Sequence, residues 1–582
     1  MTHLQTDLLA AYDAAMEALA ASPHDIRLKH RVVLTLARAG ATPHARREYL
    51  ALGLDAVTDD EDVLALGGRI LKDLCLAAEG DARRKLAALS AAKYLQAYSL
   101  HHGTYPGINT ATMFLIAGER AKAHELAAAV LAKVGNLPAL GTGEEAYYAK
   151  ATLAEAALLT GNIELATTAL ADAVTYDPDN LLARSSTLRQ FQIICAAQGQ
   201  DAAWLSPYRP PPAIFFSGHM YLEQATADAK NLEQTLHTTV EDIGPGAGFG
   251  ALAAGCDIII AEALLAYGAD VHVVLPFREA EFLAQSVRPF GASWEARYHA
   301  VRARAASFRL ATTETTFSDD SVFTFGADYA MGLAIHHAAM LGTHAVHVAA
   351  WDGAGASALA GTATDIARWN ALGLQQIIVS FPAILRKRPA PVTPPESSSA
   401  ARSVKAILFG DVRGFSKLDE THIRAFVDHI MAPLAHTVHA HTVQPALAAT
   451  WGDGFHLVYD SVEDAAAAAL AAQERFASLD LAQAGLPAHL ALRIGGHVGP
   501  VAALTDPFLK APSFYGTQIT LAARIEPVAV PGTVYVSEPF AALLAMTQQG
   551  QRRFRTDYAG QVELAKNYGA LRLFALRRDR TH

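Results

Sequence analysis

Up to about residue 205 the apolar positions recur at helical spacing with few β-branched runs, so the pattern predicts an all-α region over 1–205. Proline then breaks the chain at Pro207, Pro210, Pro211 and Pro212, just before the apolar run Ala213-Ile214-Phe215-Phe216. From 213 to 384 short apolar segments alternate with longer helical ones. Ile214–Gly218, Asp270–Pro276, Ala345–Ala350 and Gln376–Ser380 read as strands, and the alternation predicts a parallel sheet flanked by helices. Arg386-Lys387-Arg388-Pro389 and the proline–serine run after it have nothing to bury, which makes 385–402 a linker. A third region, 403–582, opens on an apolar strand that ends at Asp411. It continues through a helix over about Thr421–His441 and two strands around Gly452-Asp453-Gly454. A strand from Leu492, a helix through Arg524 and a strand ending at Ser537 complete the pattern.

The helical region carries an imperfect repeat. Between Ala146 and Asn180, Gly161, Ala166, Ala173 and Pro178 fall at spacings of five, seven and five, and weaker copies carry Gly118/Ala123 and Gly40/Ala45. Small residues at such places let two antiparallel helices approach, and the proline stops the second. The spacing resembles the tetratricopeptide repeat, and Tyr105–Gly118 looks like the helical TRAFs-binding regions of some signalling proteins. The resemblance implies a surface for a protein partner and no chemistry.

Length and charge narrow the function. A chain of 582 residues exceeds one hydrophobic core and suggests three or four domains. The apolar excess is largely alanine, no uncharged apolar run reaches eighteen residues, and the N-terminus lacks the basic and apolar parts of a signal peptide, so no membrane association is expected. Cys75, Cys195 and Cys256 are odd in number and far apart, as suits buried thiols in a reducing compartment. A formal charge of −10 argues against nucleic acid as a partner. The expected location is cytoplasmic.

In the middle region Gly244-Pro-Gly246-Ala-Gly248-Phe-Gly250 precedes a helix through Glu262. Glycines before a helix N-terminus can bring backbone amides to a phosphate, although there is no Walker lysine and the spacing is not the dinucleotide fingerprint. The stretch resembles Rossmann-like nucleotide-sensor domains related to lysine-decarboxylase-like phosphoribohydrolases. Ser217, Gly218, Gly246, Gly248 and Glu262 are the candidates for a second nucleotide site, against a glycine turn with no ligand. Trp351-Asp352-Gly353 reads as a turn, and His436, His439 and His441 as a solvated helix face.

The third region carries the chemistry. Asp411 ends a strand, and the glycines beside Asp453 make a tight turn that throws a second carboxylate outward. Two carboxylates converging from adjacent strands suit hard cations such as Mg²⁺. Phe-Gly-Asp411-Val-Arg-Gly-Phe, Gly-Asp453-Gly, Arg-Ile-Gly-Gly-His-Val-Gly499, Gly516 followed by Ala-Ala-Arg524-Ile, and Pro-Gly-Thr-Val-Tyr-Val-Ser537 follow one another in order. In these blocks the region resembles the class III nucleotidyl cyclase catalytic domain. The resemblance implies an α+β ferredoxin-like fold, two Mg²⁺ or Mn²⁺ ions on Asp411 and Asp453, and backbone amides at Val412, Gly414 and Phe415 around the triphosphate. It also implies Arg524 on the α-phosphate, Thr520 at the ribose, and a head-to-tail homodimer whose subunits share the site. The implied reaction turns a nucleoside triphosphate, ATP first, into a 3′,5′-cyclic nucleotide and pyrophosphate. The sequence departs from the pattern at the base-reading positions, which hold Ala449 and Ser513 instead of lysine and aspartate, and at Thr520, which replaces asparagine. The retained carboxylates favour an enzyme regulated by its N-terminal domains, and the three departures favour a pseudo-cyclase scaffold. The expected fold is multidomain: an all-α helical repeat, an α/β Rossmann-like parallel sheet, then the cyclase domain.

Overall fold

Helices alone occupy the first region. The structure, a computed structural model, describes residues 8–38, 42–136, 141–221, 226–313, 320–354, 361–382, 402–548, 553–564 and 569–579. Among these, ten α-helices run from Leu8–Ala21 to Leu181–Gln198 without a strand between them. Glu144–Leu159 and Ile163–Tyr176 form the hairpin anticipated from the small residues. Gly161 turns at φ 82°, the Asn162 side chain caps the second helix by accepting from Leu165 N, and Ala166 and Ala173 are fully buried. That helix stops at Tyr176, two residues before Pro178. No helix among the described residues is long and apolar enough to cross a membrane. The linker 385–402 lies outside the described residues except for Arg402.

The chain divides into two compact units: Met1–Pro210 with Val530–Thr533 and Arg578–His582, and Pro211–Ala529 with Val534–Arg577. In the second unit, β1 (Ala213–Gly218), β2 (Ala247–Gly250), β3 (Asp270–Leu275), β4 (Ser307–Leu310), β5 (Ala345–Trp351) and β6 (Gln376–Ser380) form one sheet in the order β4-β3-β2-β1-β5-β6. Every pairing in it is parallel, and helices cover both faces, which is why β1 is apolar at four successive buried positions. The glycine run is a correction to the sequence reading, because Ala247–Gly250 is a buried strand and not a loop. A Cβ on Gly248 would stand 2.3 Å from Leu264, and one on Gly250 would stand 2.6 Å from Phe216. These glycines let the helix Cys256–Tyr267 and β1 press against β2.

The second sheet uses β7 (Arg402–Arg413), β8 (Leu447–Trp451), β9 (Gly454–Tyr459), β10 (Ala491–Thr505), β11 (Pro512–Tyr515), β12 (Val534–Ser537), β13 (Phe554–Leu564) and β14 (Gly569–Arg578). Its order is β13-β14-β12-β10-β7-β9-β8, with β11 paired to the end of β10. The sheet is mixed: β10 runs parallel to β12 and antiparallel to β7 and β11. The helix anticipated over 421–441 is broken into Glu420–Phe426, a π segment Val427–Met431 and Ala432–His439. Pro433 has no N–H to donate four residues back, and Ala432 N donates to Val427 O five residues back.

The two sheets share one unit through a buried seam. The helix Asp320–Leu341 lies along Glu538–Thr547, so close that a Cβ on Gly332 would stand 2.3 Å from Ala542 O. Arg309 Nε and Nη2 donate to the Glu538 carboxylate at 2.6 and 2.9 Å, and Tyr329 Oη donates to it at 2.8 Å. Burial alone would raise the Glu538 pKa, but the Arg309 charge overrides it and holds the group below the ordinary value. Glu538→Ala would strand the Arg309 guanidinium without its carboxylate. We expect a loss of about 3–5 kcal/mol in urea unfolding of the full chain, and a loss below 1 kcal/mol would show that the pair contributes little.

Candidate active site

Asp411 sits on β7 between two antiparallel neighbours, opposite Gly454 of β9 and Arg493 of β10. The β9 ladder ends at the Asp411–Gly454 pair, so the carboxylate lies where the sheet opens. β8 and β9 are joined by the two-residue turn Gly452-Asp453, with Gly452 at φ 61°. This turn delivers Asp453 to Asp411 as the sequence anticipated. The two interact closely enough that the Asp453 pKa is raised, by partial burial first and the Asp411 charge second.

Two further charged groups complete the cluster. Arg493 Nη2 donates to Asp411 Oδ2 at 2.9 Å and stands 2.9 Å from Glu526 Oε1, while its Nη1 donates to the Pro527 carbonyl at 3.2 Å. Glu526 is pushed up to about 7 by burial, with Arg493 opposing the shift and Asp411 and Asp453 adding to it. A Cβ on Gly495 would stand 2.3 Å from Glu526 N, so this glycine is what lets the Glu526 backbone reach β10. The sequence reading quoted Arg493 inside a motif and gave no role to it or to Glu526.

The remaining candidates separate into two sets. Gly414 turns at φ 97° into the short helix Phe415–Lys417, and the buried Val412 still pairs with Leu492. The Phe415 ring packs on Phe426 at 4.7 Å. Thr520 and Arg524 lie partly buried on the helix Thr517–Ile525. Ala449 faces His456, His456 faces Phe409, and Phe409 faces Gly495; Ser513 faces Leu504, nine residues further along β10 (504 − 495). In the register of the sheet Ala449 and Ser513 are thus offset by nine positions along β10. His456, across from Ala449, stacks on Phe409 at 4.4 Å, and burial lowers its pKa to about 4.

The five candidates for a second nucleotide site are not brought together. Gly246 precedes β2 and Gly248 lies in its buried middle, whereas Ser217 and Gly218 end β1, three and four positions beyond Ile214, the partner of Gly248. Glu262 is engaged by Arg297, whose Nε donates to it at 2.9 Å. What converges beside Gly218 is Asp257, which accepts from Gly218 N at 2.7 Å, and the His219–Asp352 pair at 2.9 Å. Asp352 also accepts from Ala354 N at 3.0 Å, which fits the anticipated turn.

Could the Asp411 cluster hold a divalent cation? Among the described residues no group of three or more His, Cys, Asp or Glu side chains stands in metal-ligand geometry. Two adjacent carboxylates still fit a hard oxygen-seeking ion such as Mg²⁺ or Mn²⁺, which draws its other ligands from carbonyls, phosphates and water.

The family model "Adenylate and Guanylate cyclase catalytic domain" matches residues 399–577, and "Tetratricopeptide Repeats-Sensor" matches 8–114. Among solved structures, the chain is similar to the adenylyl cyclase CyaB from P. aeruginosa at 16% identity, over 31% of this chain and 96% of that one, with a TM-score of 0.27. It is similar to the guanylate cyclase domain of RhGC from Catenaria anguillulae, in complex with GTP, at 20% identity over 31% and 100%, with a TM-score of 0.26. Adenylate cyclases from Trypanosoma brucei in their monomeric state are 20% identical over 30% and 89%, with a TM-score of 0.25. No curated protein matches the chain. The hairpin at 146–180 and the parallel sheet lie outside both family matches. Residues 399–577 are thus an adenylate/guanylate cyclase catalytic domain, in a chain whose residues 8–114 form a tetratricopeptide repeats-sensor domain.

Proposed function

We propose that the 399–577 domain cyclises a nucleoside triphosphate, ATP first, to its 3′,5′-cyclic nucleotide with release of pyrophosphate. The observation that carries this reading is the convergence of Asp411 and Asp453 at the open end of β7, where their charges repel unless a cation joins them. Two divalent ions bound there supply Lewis acidity to the ribose 3′-oxygen and the triphosphate. The chain's own residues do the rest. Arg493, pinned between Asp411 and Glu526, fixes the orientation of the Asp411 carboxylate and adds positive charge beside the triphosphate. Backbone N–H groups at Val412, Gly414 and Phe415 take phosphate oxygens. The Thr520 hydroxyl holds the ribose, and Arg524 neutralises the charge that develops on the α-phosphate as the 3′-oxygen attacks in line.

The site is completed by a second copy of the chain. Trp451 is 51% exposed, and Phe508 and Leu509 at the β10–β11 tip are 94% and 75% exposed, apolar surface suited to burial in a homodimer. We read the parallel sheet as Rossmann-like, the mixed sheet as ferredoxin-like, the helical region as a protein-binding regulator, and the location as cytoplasmic.

Purified full-length protein incubated with each of the four ribonucleoside triphosphates and Mn²⁺ tests the reading by mass spectrometry of cyclic products. No product from any of them would overturn it. Base selectivity should be loose, because small residues at 449 and 513 discriminate by only ~10–200-fold. Ala449→Lys with Ser513→Asp should sharpen the preference toward ATP. A wild-type preference beyond about a thousandfold in competition assays would show that another residue reads the base, with His456 the first to replace.

A further inference from the structure

Gln518 lies two residues before Thr520 and six before Arg524 on the helix Thr517–Ile525, and it is 4% exposed. A buried amide must place two donors and an acceptor. Its Oε1 is 2.7 Å from His497 Nε2, and His497 Nδ1 is 2.7 Å from Ser537 Oγ. His497 is buried and neutral, so Nε2–H donates to the amide oxygen while Nδ1 accepts from the serine hydroxyl. Ser537 in turn caps Glu538–Thr547 by accepting from Phe540 N at 3.3 Å. The amide nitrogen of Gln518 donates to Thr517 Oγ1 and to Thr312 Oγ1, each at 3.3 Å.

Thr312 does not belong to the cyclase domain. It stands two residues past β4, 2% exposed, with its own N–H donating to Pro276 O at 3.2 Å. Arg309, three residues earlier on β4, holds Glu538, the neighbour of Ser537. The bonds thus leave β4 at Arg309, pass through Glu538, Ser537, His497 and Gln518, and return to the end of β4 at Thr312. There is no slack on the Gln518 side, since a Cβ on Gly499 would stand 2.8 Å from Gln518 Cγ. A shift at the end of β4 must either carry the helix with it or leave a buried amide donor short of a partner.

We propose that Gln518 is a positioning residue through which Thr312 of the parallel-sheet domain fixes the helix that carries Thr520 and Arg524. The role rests on the cyclase reading above. Thr312→Val deletes the acceptor at nearly constant volume, and Thr312→Ser keeps it. In full-length protein with Mn²⁺ and the nucleotide turned over best, Thr312→Val should lower kcat about tenfold with KM within about twofold, while Thr312→Ser stays within about twofold of wild type. Combined with Gln518→Met, the loss should be smaller than the product of the two single losses. Amides 517–525 should exchange hydrogen about tenfold faster in Thr312→Val than in wild type, with the rest of the mixed sheet unchanged. Wild-type kcat in Thr312→Val, equal losses in the valine and serine variants, or multiplying losses in the double variant would overturn the proposal. If wild type turns over no nucleotide, the cyclase reading falls by itself. Exchange still decides the coupling, and unchanged 517–525 rates in Thr312→Val would end it.

Discussion

Asp453→Asn should reduce cyclic nucleotide formation by about a thousandfold or more while leaving the melting temperature unchanged or higher. The two halves of this expectation have one cause. Asp453 is held beside Asp411, and its raised pKa reflects partial burial and the neighbouring charge. An amide at 453 removes that repulsion, so the fold loses nothing, but it also removes the charge that would hold a divalent ion. Asp411→Asn should abolish turnover equally and leaves Arg493 paired with Glu526 alone. Mn²⁺ should raise the melting temperature of wild type by mass action and have no such effect on Asp453→Asn. Near-wild-type turnover of Asp453→Asn at saturating Mn²⁺ would sink the assignment of this carboxylate to metal.

Why were the carboxylates legible from sequence and their companions not? Asp411 follows an unbroken apolar strand, and Asp453 sits between two glycines. Both signals are local: Asp411 stands at the end of the β7–β9 ladder, and Asp453 in the turn between β8 and β9. Arg493 is 82 residues from Asp411 and meets it only because β10 runs antiparallel to β7 in one particular register. No local pattern encodes that register. β2 was missed for a related reason: Ala247–Gly250 has one large apolar residue, and the bulk that buries it comes from Leu264 and Phe216 elsewhere. The same limit applied to domain boundaries. Composition set the parallel-sheet and cyclase regions apart at a proline–serine run, yet Arg309 and Glu538, 229 residues apart, bind in the seam that unites them. The break at Val427–Met431 was readable from Pro433, because a proline within a helical pattern withholds the donor that the preceding turn needs. The mismatch at Gly248 came from treating glycine as a sign of phosphate, when close packing of a helix on a strand asks for the same residue, and Gly246 sits against Pro211 instead.

Mixing Asp411→Asn protein with Arg524→Ala protein should restore activity that neither has alone. On the cyclase reading proposed above, the carboxylates of one copy are completed by the arginine of the other in a symmetric dimer. A heterodimer of the two variants then holds one site with both defects and one with none. At equal amounts and free exchange, about half the dimers are heterodimers, so recovery should approach about a quarter of the wild-type rate. The exposed Trp451, Phe508 and Leu509 offer the apolar contact for assembly, so Phe508→Glu should weaken the dimer and the recovery together. Sedimentation of the mixture distinguishes the outcomes. Heterodimers without activity would mean that Arg524 serves its own chain, whereas activity in either variant alone would remove that residue from the reaction.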